Sequence, residues 1–297
     1  MATPKLIAVY GPTASGKTLA AEWIADHLDA QLISADAFQV YRGFDIGTNK
    51  PADRERYQLI DVCDPDEQFG VGAFILAVLP LLEGAFASGR NVVLVGGTGL
   101  YMRALIEQWE NLQPLPDPNL RERVTAMADG EVVAQLRNLN PPGLDELDFQ
   151  NPRRIRRALE RALSTEPCLK FAIPGFETTK LGMSPSVDLH NLAIETRTIQ
   201  LVRAGWLEEV QRLLEQGVSE YCPAMKAIGY DSATRKLRGE LSESDFVDEV
   251  VLLTKQYAKR QRTWLRSEPG IVFLERESPL VEFSEEWQAK LFRLISP

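Results

Sequence analysis

The stretch Gly11-Pro12-Thr13-Ala14-Ser15-Gly16-Lys17-Thr18 matches the phosphate-binding pattern G-x-x-x-x-G-K-[ST] at every position. The apolar run Lys5–Tyr10 before it predicts a strand, and Thr18–Leu28 after it predicts a helix, which is the context this motif needs. In such a loop, backbone N–H groups and the helix N-terminus bind phosphate, Lys17 reaches its oxygens, and the Thr18 hydroxyl is a ligand for Mg²⁺. The sequence therefore predicts a phosphate or pyrophosphate site, without indicating whether that group belongs to ATP.

The composition is that of a globular protein that can bury a full core. The chain has 297 residues, of which 44% are hydrophobic and 25% charged, as in ordinary soluble proteins. It contains no apolar run of about 18 residues, so we expect no membrane span. A strand predicted almost at the first residue argues against a signal peptide.

The cysteines, histidines and net charge exclude several classes of site. The three cysteines are far apart and form no C-x-x-C pair, which favours reduced thiols and a cytoplasmic location. Two histidines are too few for a histidine metal site or a Ser-His-Asp triad. The net charge of −9 argues against nonspecific nucleic-acid affinity but permits a local basic groove.

Strand and helix signals alternate over the first 112 residues. Further strands are predicted at 31–34, 59–62 and 91–95, and helices at 71–88 and 100–108. Such alternation predicts an α/β fold, with a parallel sheet of the P-loop NTPase type flanked by helices. Ligands of these sheets bind at the carboxyl ends of the strands, so the phosphate-binding loop, Asp36 and Thr98 should share one edge.

A proline-rich break at 113–118 precedes a region that is predominantly helical. Helices are predicted at 118–128, 131–138 and 152–164, a returning strand at 181–183, one helix over 195–216, and a long helix to 266 capped by Ser242. We therefore expect a P-loop core over 1–113, an inserted all-helical domain over 114–165, and a return to the core over 166–297.

Polar residues follow two predicted strands at the expected binding edge. Asp36 comes directly after the second strand and is a candidate general base or Mg²⁺ ligand, although it could also cap a helix. Gln39 offers a donor and an acceptor that suit the edge of an adenine. Thr98 follows two glycines, which permit close approach of a substrate but are equally typical of a tight turn.

Two basic clusters stand out against the acidic composition. The first runs from Arg153 to Arg157 and continues to Arg161. In the second, four cations at i, i+4, i+7 and i+11 share one helical face, with Trp264 opposite; they are Lys255, Lys259, Arg262 and Arg266. A solvated charged face is the usual explanation for a basic run, but like charges on one stripe repel unless an anion lies along them.

Together these stretches resemble the tRNA dimethylallyltransferase (isopentenyltransferase) family over nearly the whole chain. The matching motifs are Gly-Pro-Thr-Ala-Ser-Gly-Lys-Thr at 11–18, Ser-Ala-Asp at 34–36, Asp-Ile-Gly-Thr at 45–48, Leu-Val-Gly-Gly-Thr-Gly-Leu-Tyr at 94–101, Ala-Ile-Gly-Tyr at 227–230 and Gln-Tyr-Ala-Lys-Arg-Gln-Arg-Thr-Trp-Leu-Arg at 256–266. The last block is the most specific, because a phosphate-loop kinase has no use for it.

The resemblance implies transfer of a dimethylallyl group from its diphosphate to N6 of adenosine 37, beside the anticodon, in tRNAs that read codons beginning with U. It implies that Asp36 is the base, that Thr98 lines the channel for the target adenosine, and that Arg197, with the loop 11–18, holds the diphosphate. It also implies Mg²⁺ at Thr18, a cytoplasmic monomer with no protein partner, and an insert that grips the anticodon stem-loop. The implied tRNA contacts are Asp36, Ala37, Phe38, Gln39, Thr98, Arg121, Arg153, Arg154, Ile155, Arg156, Arg157, Lys226, Ala227, Ile228, Gly229, Tyr230, Asp231, Lys259, Arg260, Gln261, Arg262, Thr263, Trp264, Leu265 and Arg266.

Several positions depart from the family pattern. Ala37 and Phe38 replace a serine and an arginine or methionine beside Asp36, and Ala193 replaces an arginine near the expected diphosphate. A lost phosphate contact costs about 1–3 kcal/mol, so we expect an active but weakened enzyme.

Three other functions remain open from the sequence. A small-molecule kinase would share the phosphate loop and Asp36 but would bind ATP. A prenyltransferase acting on free adenine nucleotides would need neither the insert nor the basic clusters. An RNA-binding protein without catalysis would explain the missing serine and arginine.

Overall fold

Six parallel strands form one sheet in the computed structural model, which describes residues 2–110, 112–113, 117–276 and 283–296. The strands are β1 (Lys5–Tyr10), β2 (Gln31–Ser34), β3 (Tyr57–Gln58), β4 (Val92–Gly96), β5 (Glu177–Pro185) and β6 (Ile271–Arg276). Their spatial order is β3-β2-β4-β1-β5-β6, and every neighbouring pair is parallel. The predicted parallel sheet is confirmed.

Helices connect the strands and flank the sheet. They are α1 (Lys17–Leu28), α2 (Val71–Ala87), α3 (Gly99–Ile106), α4 (Pro118–Ala126), α5 (Asp129–Leu139), α6 (Pro152–Leu163), α7 (Val187–Arg203), α8 (Trp206–Glu215), α9 (Tyr230–Leu237), α10 (Glu243–Arg266) and α11 (Glu285–Ile295). None of the helices in the described residues is both long and apolar enough to cross a membrane.

The central strand β1 is buried on both faces because helices cover both sides of the sheet. Leu6 and Ala8 pack with apolar residues of α2 and α3, whereas Ile7 and Val9 pack with those of α1 and α11. Strands buried on both faces read as continuous apolar runs instead of alternating ones, which is why β1 and β4 are recognisable in the sequence. The loops at their carboxyl ends are therefore held by a rigid sheet.

Helices α4, α5 and α6 lie between α3 and β5 in the chain and have a small core of their own. Leu120 and Val124 of α4, Val132 of α5, and Ile155 and Leu159 of α6 are buried together. Three predicted helices thus exist close to their expected positions. The predicted boundary at 113/114 falls at residues 114–116, outside the described residues, and the division into domains stays a prediction.

The long helix α10 separates charge along its length. Ser242 caps it as predicted, since its hydroxyl oxygen accepts from the Asp245 N–H at 3.1 Å. The acidic residues all fall in the first seven positions and the basic residues in the last twelve. This arrangement complements the helix dipole. It also places the basic block 255–266 beside α7 and the carboxyl ends of the strands.

Two predicted elements are wrong. Residues 59–62 form no strand, because Leu59 and Asp61 have φ values of 64° and 57°, in a left-handed region that no strand uses; β3 is the shorter pair before them. The single helix predicted over 195–216 is two helices, since Gly205 adopts a φ of 100° between α7 and α8. Strand β6 and helices α9 and α11 have no counterpart among the predicted elements.

Candidate active site

The loop 11–18 connects β1 to α1 and is shaped for an anion. Ala14 and Gly16 adopt φ values of 58° and 82°, so the backbone turns sharply before α1 begins at Lys17. A Cβ on Gly11 would lie 2.5 Å from Ser15 Oγ and 3.0 Å from Met183 Cβ, which explains the glycine. The N-terminus of α1 directly follows this turn, which is the arrangement expected of a phosphate site.

Two cations that form no ion pair with a carboxylate of the described residues, Lys17 and Arg197, lie near this loop. Burial and, to a smaller extent, the nearby Arg197 lower the pKa of Lys17 to about 8, while Asp36 opposes the shift. Burial also lowers the pKa of Arg197, on α7, to about 10, against an opposing contribution from Asp36. Both pKa values fall chiefly because the charged forms are poorly solvated, and repulsion from Arg197 adds to the shift of Lys17. An anion bound between them would relieve both costs.

Asp36 is held by one of its two carboxylate oxygens. Its Oδ1 accepts hydrogen bonds from the N–H groups of Phe38 at 2.9 Å and Gln39 at 3.3 Å, in a turn that no α-helix continues. Its Oδ2 accepts no hydrogen bond from the described residues and lies 3.8 Å from the point where a Cβ of Gly97 would be. The turn therefore orients a carboxylate with one oxygen available for a proton.

Thr98 lies where β4 gives way to α3. Its hydroxyl accepts a hydrogen bond from the N–H of Ala37 at 3.1 Å, which joins this turn to the Asp36 turn and leaves the hydroxyl hydrogen available. A Cβ on Gly96 would overlap the carbonyl of Ala35, so the two strand ends approach as closely as their backbones permit. The predicted shared edge for the loop 11–18, Asp36 and Thr98 is confirmed.

These groups surround a cavity of about 290 Å³, which we call the central cavity. Its lining includes polar side chains, which we call the polar part, from Thr13, Lys17, Thr18, Asp36 and Arg197. It also includes apolar side chains, which we call the apolar part, from Ile194, Leu201, Trp206, Ile228 and Val250. A ligand with an anionic end and a short hydrocarbon end matches both parts.

A second cavity of about 200 Å³, the side cavity, adjoins the first. The two share Gly96, Gly97, Tyr257, Arg260 and Gln261, and the side cavity adds Thr98, Leu100 and the indole of Trp264. A Cβ on Gly99 would overlap that indole. Glycines and flat side chains leave space here for a planar group next to the central cavity.

The loop 37–49, which follows Asp36, is held in place by partly buried hydrogen bonds. Gln39 donates both amide hydrogens, to the carbonyls of Thr48 at 3.3 Å and Asn49 at 3.1 Å, and accepts from Ser34 at 3.0 Å. Only the second lone pair of Gln39 Oε1 therefore remains for the predicted contact with adenine. The carboxylate of Glu209, on α8, accepts from the N–H groups of residues 45–47 and from Tyr230.

Two side chains of α10 hold the phosphate-binding loop at Thr13. Gln261 Oε1 accepts from the Thr13 N–H at 2.8 Å, and Gln261 Nε2 donates to the Gly97 carbonyl at 2.9 Å. His190 Nε2 donates to the Thr13 carbonyl at 2.7 Å, and His190 Nδ1 accepts from Arg262 at 2.6 Å. The basic block of α10 is therefore connected directly to the phosphate-binding loop.

Of the residues predicted to contact tRNA, several line the cavities and others are paired within the protein. Phe38, Lys226, Ala227 and Ile228 line the central cavity, and Leu265 lines the side cavity. Pairs with acidic side chains join Arg121 and Arg157 to Glu160, Arg154 to Asp148, Arg156 to Asp129 and Lys255 to Glu195. Arg153, Lys226, Lys259 and Arg266 form no side-chain hydrogen bond or ion pair with any described residue.

The remaining predicted contacts are buried or lie nearby. Ile155, Tyr230 and Leu265 pack in hydrophobic cores, so the side chains of Ile155 and Tyr230 are not available to an RNA. Gly229 has a φ of 88° and a Cβ there would overlap Trp206. Asp231 is in the first turn of α9, and Thr263 lies on α10, where its hydroxyl donates to the carbonyl of Lys259.

Sequence reasoning missed several residues of this site, and three of them illustrate why. They are His190, Trp206 and Glu209, whose partners are distant in the chain; His190 and Thr13, for example, are 177 positions apart. A histidine, a tryptophan and a glutamate within helices carry no local signal of such contacts. Only their burial, which follows from the fold, identifies them.

Comparisons with known proteins agree with this geometry. A family model described as "IPP transferase" matches residues 39–268, and one described as "Isopentenyl transferase" matches residues 4–60. A tRNA dimethylallyltransferase of Methylococcus capsulatus is 37% identical over 93% of this chain and 94% of its own. One of Acaryochloris marina is 36% identical over 91% and 92%, respectively.

Solved structures give the same result for the fold. The full-length tRNA isopentenylpyrophosphate transferase of Bacillus halodurans has a TM-score of 0.71 at 31% identity, covering 97% of this chain and 94% of its own. A eukaryotic dimethylallyltransferase acting on tRNA has a TM-score of 0.74, covering 92% of this chain and 74% of its own; at 21% identity this likeness shows the fold alone.

Proposed function

The chain belongs to the IPP transferase family, and we propose that it transfers the dimethylallyl group of dimethylallyl diphosphate to N6 of adenosine 37 in tRNAs that read codons beginning with U. It is a prenyl-transferring enzyme whose relatives act on tRNA. The main support for transfer to N6 of an adenosine is the geometry of Asp36. Its Oδ2 is an oriented oxygen without a hydrogen-bond partner among the described residues. Asp36 lines the central cavity with Lys17 and Arg197, and its Oδ2 lies 3.8 Å from the point where a Cβ on Gly97, a residue of both cavities, would be.

The reaction is a displacement at the allylic carbon. The N6 nitrogen attacks C1 of the dimethylallyl group, the C1–O bond breaks, and its electron pair leaves with the diphosphate. The N6 proton passes to Asp36 Oδ2. An exocyclic adenine amine is a weak nucleophile because its lone pair is delocalised into the ring, so a positioned base contributes about 10²–10⁴-fold.

The cations around the loop serve the leaving group. Lys17, Arg197 and the N–H groups of the loop face the position where negative charge grows as the C1–O bond breaks. Such fixed donors stabilise a transition state more than a ground state, because the charge they meet is developing. The apolar part of the central cavity fits the dimethylallyl group.

Mg²⁺ fits the polar part of the cavity. The Thr18 hydroxyl lines it and makes no hydrogen bond to any described residue, and Mg²⁺ accepts one or two protein oxygens together with phosphate oxygens. Held by Thr18 and the diphosphate, it would neutralise charge on the leaving group. The proposal also includes a cytoplasmic monomer and an anticodon stem-loop gripped by α4–α6 and the basic end of α10.

A transfer assay with labelled dimethylallyl diphosphate tests this function. Wild-type protein is incubated in turn with unmodified tRNA, AMP and ATP, and we expect label only in the tRNA, at adenosine 37. The variant Asp36→Asn should lose about 10²–10⁴-fold in rate while it still binds Mg²⁺-diphosphate.

The exposed Asp29→Asn, at the far end of α1, is the matched control and should behave as wild type. Label in AMP would favour the free-nucleotide prenyltransferase, phosphate transfer from ATP would favour a kinase, and RNA binding without transfer would favour a noncatalytic protein. Any of these outcomes would overturn the proposal.

A further inference from the structure

The side chain of Gln261 joins the two halves of the active site. It projects from α10 into the wall that the central and side cavities share. Its oxygen accepts from the N–H of Thr13 at 2.8 Å, and its nitrogen donates to the carbonyl of Gly97 at 2.9 Å. One amide therefore connects the loop that holds the donor to the turn that borders the acceptor space.

The space for this amide is built into the backbone. A Cβ on Gly97 would lie 2.5 Å from Gln261 Nε2, so a residue with a side chain would displace it. Asp36 Oδ2 lies 3.8 Å from the same point. The bridge thus runs beside the oxygen that would accept the proton.

A second contact reinforces the hold on Thr13. His190 donates to the Thr13 carbonyl and is itself bound by Arg262, the residue after Gln261. Both polar backbone groups of Thr13 are thereby fixed by consecutive residues of α10, one directly and one through His190. The loop cannot move away from the Gly97 turn without breaking hydrogen bonds at both groups.

We propose that Gln261 is a positioning residue that fixes the separation between the donor and the acceptor, and not a residue that acts by gripping RNA. This inference rests on the function proposed above. Displacement requires the attacking nitrogen and the allylic carbon to be about 3–3.5 Å apart, and a misplacement of about 1 Å can cost about 10²-fold in rate. An amide that spans the two sides controls that separation without touching the reacting atoms.

The variant Gln261→Met tests the proposal, because it keeps the volume of the side chain and removes both hydrogen bonds. We expect kcat to fall about 10²-fold, with the KM for tRNA and for dimethylallyl diphosphate changing less than about threefold. Gln256→Met is the matched control: Gln256 is exposed on the same helix, lines neither cavity and makes no side-chain hydrogen bond to a described residue. Its kinetic constants should remain those of wild type.

A second variant gives a readout that loss of structure would not mimic. In Gln261→Glu, one oxygen still accepts from Thr13, but the ionised carboxylate turns its other oxygen toward the Gly97 carbonyl. Protonation restores a donor at that position. The ratio of variant to wild-type kcat should therefore rise as the pH is lowered from about 8 to about 6, and titrations common to both proteins cancel in the ratio.

The outcomes separate this proposal from the function it rests on. A wild-type protein that modifies no tRNA would refute the proposed function. An active wild type with Gln261→Met raising only the KM for tRNA would make Gln261 an RNA contact and overturn this proposal, as would a Gln261→Glu ratio that does not change with pH. Thermal melting of each variant identifies any that fails to fold. If Gln261→Met does not fold, the pH dependence of the kcat ratio of Gln261→Glu to wild type decides whether Gln261 is a positioning residue.

Discussion

The two ring nitrogens of His190 form hydrogen bonds with partners of opposite character, an acceptor and a donor, and this fixes its tautomer. The carbonyl of Thr13 can only accept, so Nε2 carries the hydrogen, and Nδ1 presents its lone pair to Arg262. Burial lowers the pKa of His190 below its ordinary value of 6.5, and the charges of Arg262 and Lys17 lower it further, against the opposing effect of the Thr13 bond. The neutral ring is therefore the form that the fold requires.

This histidine should make the folded protein less stable in mild acid. Unfolded chains take up a proton near pH 6.5 whereas the folded protein does not, so the free energy of unfolding falls as the pH drops through that value. Urea denaturation at about pH 7.5 and pH 5.5 measures the fall. His190→Gln, which does not titrate, should lose less stability over this interval than wild type, and parallel losses would contradict the assignment.

Among the elements, α8 determines the position of a loop that lines the active site. Glu209 is 1% exposed and accepts hydrogen bonds from the N–H groups of Asp45 at 2.9 Å, Ile46 at 2.7 Å and Gly47 at 3.3 Å. Gly47 lines the central cavity. A single carboxylate thus replaces the secondary structure that this segment lacks.

Replacing Glu209 by glutamine should destabilise the fold and weaken donor binding together. The amide directs hydrogens at backbone donors, and each buried donor left unpaired costs about 1–3 kcal/mol, so we expect a loss of about 2–4 kcal/mol in urea denaturation and a higher KM for dimethylallyl diphosphate. The adjacent residue Glu208 is exposed, so the control variant Glu208→Gln should have the stability and the KM of wild type. Equal stabilities of the two variants would refute the role of Glu209.

The elements show what sequence patterns can and cannot predict. Strands β1 and β4 were predictable because each is a continuous apolar run ending in glycines. The run at 59–62 was misleading, because its conformation depends on side-chain contacts outside the run: Lys50, 11 positions earlier in the chain, bonds Asp61 at 2.5 Å. The presence of Gly205 does not by itself predict the break between α7 and α8, since a glycine within a helical pattern is also compatible with a continuous helix.

The same division applies to the site. The phosphate loop, Asp36 and Thr98 were predictable because each is marked by local motifs and strand ends. The bridge of Gln261 was not, because its partners Thr13 and Gly97 are 248 and 164 positions away and meet it only in the folded sheet.

At the scale of the whole molecule, the acidic net charge makes unpaired cations informative. A chain of net charge −9 binds a polyanion only where cations are concentrated. The cations Arg153, Lys226, Lys259 and Arg266 form no side-chain hydrogen bond or ion pair within the described residues. They are the cations that an RNA phosphate would meet without breaking a contact inside the protein.

The variant Arg153→Ala should weaken tRNA binding and reduce its dependence on salt. Each lost phosphate contact lowers the slope of log K against log salt concentration by about 0.7–0.9. Filter binding at several salt concentrations measures this slope. Arg90→Ala, at the opposite edge of the sheet before β4, is the control and should keep the wild-type slope. An unchanged slope for Arg153→Ala would remove α6 from the RNA interface.

The separation of charge along α10 also acts before any contact forms. The helix is about 36 Å long, from 24 residues at about 1.5 Å each, and its carboxylates lie in the first seven positions while its five cations lie in the last twelve, so it is an electric dipole. We expect its field to turn an approaching tRNA so that the anion is repelled from the acidic end and drawn to the end beside the active site. Since this field decays over about 8 Å at physiological ionic strength, the helix would govern how quickly and in which orientation tRNA arrives.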